Sequence, residues 1–116
     1  MQTVIETDEF LRRAHECGVT EEERAEIVEF LAANPQAGTV IKGTGGARKV
    51  RFARPGGGKS GGYRVITFYS GSEIPVFLLS MFAKNEKADL TPKERSALQK
   101  VLPQVARNYA ARSKPL

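Results

Sequence analysis

At 116 residues and 41% hydrophobic content, the chain can bury one compact core and is too short for two, so residues 1–116 are expected to form a single domain. A lone cysteine, Cys17, excludes an internal disulfide, and no apolar run approaches the roughly 18 residues that span a bilayer. The first residues lack the basic and apolar regions of a secretion signal, and a cytoplasmic protein without membrane contact is the expectation.

Charge is unevenly placed. Residues 1–29 carry nine acids against three bases, whereas residues 30–72 carry seven bases and no acid. The acidic stretch reads as a solvated helical surface. The basic one does not, because like charges without a counter-charge destabilise a compact fold unless an anion binds them, and the net charge of +5 points the same way.

In chain order, Thr3 to Glu6 reads as a short strand, followed by a helix from Thr7 or Asp8 to Gly18, a residue suited to a helix C-terminus. Thr20 and Glu23 form a capping box, after which Ile27, Phe30 and Leu31 recur at helical spacing until Asn34-Pro35. From Arg48 the period becomes two, with Val50 and Phe52 on one face and Lys49, Arg51 and Ala53 on the other. Arg54 to Gly62 is a glycine-rich basic hairpin loop, Tyr63 to Tyr69 a strand, and Val76 to Phe82 an apolar strand buried on both faces. Thr91, Pro92 and Glu94 open the last helix, whose apolar stripe is Leu98, Val101, Leu102 and Val105. The order β-α-α-β-β-β-α defines an α+β fold, an antiparallel sheet packed against helices.

Ala53 to Ser60 fits a loose phosphate-binding loop pattern, but such a loop must lead into a helix, and here it leads into Tyr63-Arg64-Val65-Ile66-Thr67-Phe68, a strand by composition. Nucleotide hydrolysis is therefore not expected.

The segments Gly43-Thr44-Gly45-Gly46-Ala47-Arg48-Lys49-Val50-Arg51, Gly58-Lys59-Ser60-Gly61-Gly62-Tyr63-Arg64-Val65-Ile66 and Phe82-Ala83-Lys84-Asn85-Glu86-Lys87-Ala88-Asp89-Leu90 together resemble the RelE superfamily, most closely its HigB-type toxins, over residues 38–105. The resemblance implies the toxin of a type II toxin–antitoxin pair, an endonuclease that cuts mRNA in the ribosomal A site beside 16S rRNA. It also implies a cognate antitoxin, expected to carry a helix-turn-helix domain. Two basic residues at Lys49 and Arg51 and an arginine at Arg64 match family positions used for RNA binding and catalysis. The sequence departs from the best-studied enzymes at Asn85 and Thr91, where those carry an arginine and a tyrosine, and Lys84 is the nearest basic substitute. Glu86 reads either as an acid-base group or as a salt-bridge partner of neighbouring lysines.

Metal-free RNA cleavage needs a base for the 2′-hydroxyl, cations for the phosphoryl transition state and an acid for the leaving 5′-oxygen. His15, the only histidine, lies in the acidic helices, and the basic half holds no carboxylate or Cys/His cluster for a metal, so no cofactor is expected. Lys49 is the candidate base, its ammonium disfavoured by crowding with Arg48, Arg51 and Arg64. Arg51 and Arg64 would hold the phosphate through forked contacts. Arg48, Arg54 and Lys59 would grip RNA backbone or ribosomal RNA. Tyr63 is open between stacking a base and packing. Two other functions compete: a ParE-like gyrase poison of the same fold, and a non-catalytic RNA-binding module.

Overall fold

The computed structural model describes residues 1–53, 62–84, 86 and 89–113, with side chains to Tyr109 in the last helix. Of the residues singled out above, Arg54, Lys59 and Asn85 lie outside the described ones.

The elements are β1 (Val4–Glu6), α1 (Asp8–Glu16), α2 (Glu21–Ala33), β2 (Thr39–Val40), β3 (Ala47–Phe52), β4 (Tyr63–Phe68), β5 (Val76–Ala83) and α3 (Pro92–Ser113). Local chemistry sets the helix starts. Thr7 Oγ1 accepts from the Phe10 amide at 3.2 Å and itself donates to the Leu78 carbonyl at 2.7 Å, which ties α1 to the sheet as it begins. Both expected capping boxes form, Thr20 with Glu23 and Thr91 with Glu94. Gly18 takes φ +75° just after α1, a left-handed conformation that a glycine adopts without strain.

The fold is α+β, with one mixed five-stranded sheet in the order β1-β5-β4-β3-β2. Strands β3, β4 and β5 form the expected antiparallel meander, but β1 pairs with β5 in parallel, Val4 opposite Val76. The expected all-antiparallel sheet is corrected on this point: the α1–α2 hairpin carries the chain across one face, so β1 enters the sheet in the same direction as β5. The short edge strand β2 is also additional to expectation, with Thr39 opposite Lys49. It depends on Gly38 at φ +90°, so close to the backbone of Lys49 that a Cβ would collide with it.

Alternation along the strands divides the core. Val50, Val65, Val76, Leu78 and Met81 pack with Phe10, Ala14, Ile27 and Leu31 of α1 and α2 on one face of the sheet. On the other, Ala47, Ile66, Phe68, Phe77 and Phe82 pack with Leu90 and Leu102, flanked by Leu98, Val105, Ala106 and Tyr109 of α3. Val101 is 50% exposed, which corrects its place in the apolar stripe. It lies about 100° around the helix from Leu102, the stripe's buried centre. Phe30 is likewise half outside the α2 stripe and meets Phe52 edge-on, with ring centroids 5.6 Å apart.

Candidate functional site

Lys49 and Arg51 leave β3 on the α3 side of the sheet, and the register places Arg51 directly opposite Arg64 and Lys49 opposite Ile66. Arg64 in turn lies opposite Phe82 of β5. The three basic residues matched to family positions therefore share one face, at the end of the sheet where β3 ends and β4 begins.

Arg64 is 7% exposed, and its Nη1 approaches the Tyr63 carbonyl at 3.5 Å. Among the described residues no carboxylate pairs with it. Burial, and then the charge of Arg51, hold the Arg64 guanidinium below its ordinary value, but an arginine remains charged at any physiological pH. A buried cation without a counter-ion is costly to hold, and an entering anion would relieve that cost.

Lys49 is placed differently. Its Nζ donates to Asp89 Oδ2 at 3.1 Å, and Arg95, in the first turns of α3, reaches the same oxygen at 3.4 Å. Asp89 Oδ1 accepts from the Leu90 amide at 2.8 Å. Burial disfavours the Asp89 carboxylate, but the Leu90 amide, Lys49 and Arg95 outweigh it and hold the group below the usual aspartate value. The surroundings expected for Lys49 thus need correcting. It donates to a carboxylate distant in sequence, and Arg48 lies on the opposite face of the sheet.

Arg48 points to the opposite face, where Nη1 donates to the carbonyls of Gln36 at 3.1 Å and Gly38 at 3.4 Å and so braces the turn before β2. Tyr63 is 5% exposed and packs in the α1–α2 core. With Val19, Ile27, Phe30 and Phe52 it lines a recess of about 310 Å³ that Glu23, Glu26 and Arg51 also line. Lys84 is exposed in the turn after β5, and its amide donates to the Gly62 carbonyl at 3.1 Å, which brings it to the same end of the sheet as Arg64. Glu86 pairs with Arg13 of α1 at 2.7 Å. Thr91 serves as the α3 cap.

Asp89 and Arg95 were missed by sequence reasoning. Asp89 lies within the matched motif, and its signal was an acid among the bases Lys84, Lys87 and Lys93. Arg95 carried no signal beyond helix-surface charge, yet its Nε is buried without a hydrogen-bond partner among the described residues. Among the described residues no three His, Cys, Asp or Glu side chains cluster as metal ligands, and no helix is long and apolar enough to cross a membrane.

Fold and site together define a small basic α+β protein with two opposed arginines on one sheet face. The family model for the RelE toxin of the RelE/RelB toxin–antitoxin system matches residues 2–114, and the chain belongs to that family. It is a toxin-family protein, and membership implies an antitoxin partner.

Proposed function

We propose that the chain is a ribosome-dependent mRNA endonuclease that arrests translation. Support comes chiefly from Arg64, buried on the sheet face without an acidic partner among the described residues and set opposite Arg51. Two guanidiniums side by side can each present a fork of N–H donors to the non-bridging oxygens of one phosphate. The 2′-hydroxyl gives its proton to solvent water as its oxygen bonds to phosphorus and the 5′-oxygen leaves, and the phosphate gains negative charge on the way, so fixed cations stabilise the transition state more than the ground state. Lys49, in contact with Asp89, adds to that charge and can give a proton to the departing 5′-oxygen. Lys84 stands at the same end of the sheet, within the candidate set. Catalysis then rests on charge stabilisation and on the ribosome's alignment of the message rather than on a strong general base.

Primer extension on an mRNA translated in the presence of the toxin tests this. In-frame cuts that vanish when the start codon is removed are expected. Equal cutting of the untranslated message would remove the ribosome from the account, and intact mRNA with broken DNA would point to gyrase instead.

A further inference from the structure

The two kinds of cation in the site are treated differently. Arg64 has no acid beside it among the described residues, whereas Lys49 is held by Asp89 at 3.1 Å. Asp89 is itself fixed from three directions: by Lys49 on β3, by the Leu90 amide, and by Arg95 on α3. It therefore joins the start of α3 to the middle of β3, two register positions from the Arg51–Arg64 pair.

From this geometry we infer that Asp89 is a positioning residue which aims Lys49 and, by competing with the substrate phosphate for the ammonium, reserves Lys49 for the transition state. The inference rests on the proposed RNA-cleaving role of the site. A ground-state phosphodiester carries one charge and competes poorly with a carboxylate already in contact with the lysine. As the phosphoryl group gains charge it competes better, and Lys49 then contributes where binding energy lowers the barrier rather than deepening the ground state. Arg64, without such competition, supplies the initial grip.

Asp89→Asn separates this from a merely structural role, because the expected effects have opposite signs. Affinity for a single-stranded RNA oligonucleotide fully 2′-O-methylated, hence uncleavable, should rise about two- to fivefold, the order of one exposed ion pair. Single-turnover cleavage on programmed ribosomes at saturating toxin should fall about tenfold to a hundredfold, since Lys49 is no longer aimed. The tightening should shrink in a Lys49→Ala background. Asp89→Glu keeps the charge but moves it by one methylene, and should bind like the parent while cutting more slowly. The inference is overturned if folded Asp89→Asn binds the methylated RNA no better than the parent, or tightens equally without Lys49. If Asp89→Asn does not fold, parental cleavage by Asp89→Glu overturns it. The oligonucleotide arm needs no ribosome, so a parent protein that leaves mRNA uncut would defeat the proposed function while the response of RNA affinity to Asp89 is still read.

Discussion

Arg51 and Arg64 face each other across the β3–β4 ladder, one exposed and one 7% exposed, with no acid between them among the described residues. Like charges directly opposite in a sheet oppose folding, so the pair is held at the expense of stability. Arg51→Ala should therefore raise thermal stability by up to about 1 kcal/mol, a few degrees in Tm. It should at the same time weaken binding to single-stranded RNA and flatten its salt dependence by about one phosphate contact. A fall in Tm on calorimetry would show that the two charges are not in conflict.

Arg64 separates grip from chemistry. Arg64→Ala should lower single-turnover cleavage at saturation by roughly a hundredfold, the order expected for one transition-state donor. Arg64→Lys should recover little, because an ammonium lacks the planar fork. Weak ribosome binding with a normal rate at saturation would make Arg64 a binding residue only.

How legible was this in the sequence? The meander and all three helix starts were, because each depends on neighbours a few residues apart: alternation at Val50 and Phe52, and the hydroxyl–carboxylate pairs at Thr20–Glu23 and Thr91–Glu94. The shared face of Lys49 and Arg51 followed from the same alternation. What could not be read were choices of distant partner. Nothing in the run Thr3 to Glu6 says which strand it will join, or in which direction, and nothing near Lys49 announces a carboxylate forty residues on. Tyr63 was left open because a strand-opening tyrosine can face either side, and the structure buries it against the α1–α2 core.

Gly38 carries a prediction of its own. At φ +90°, with its missing Cβ directed into the Lys49 backbone, Gly38→Ala combines backbone strain with a collision that only movement of β3 can relieve. It should cost more than the roughly 1–3 kcal/mol of strain alone, whereas Gly43→Ala, at φ +82° in open space, should stay within that range. Denaturant titration of the two variants compares them directly; equal losses would mean that β2 moves freely against β3.

Asp89 makes stability respond to acid. Its folded-state pKa lies below that of the unfolded chain, so its contribution is present above about pH 4 and disappears as the pH falls through the folded-state value. Asp89→Asn lacks that contribution. The Tm difference between parent and variant should be largest near neutrality and close as the pH drops below about 4, and a gap that stays constant would place the residue's effect elsewhere.

The parallel pairing of β1 with β5 bears on when the cationic face is completed. Val4 finds its partner at Val76, so the sheet cannot close until most of the chain has been synthesised. The cationic face needs still more, since Lys49 is aligned through Asp89 and Arg95, which follow β5. On a ribosome the acidic helices emerge early, lacking the strands that cover their apolar side, and the basic strands emerge without the start of α3. The cationic face is thus completed only after the start of α3 has emerged, late in the synthesis of the chain.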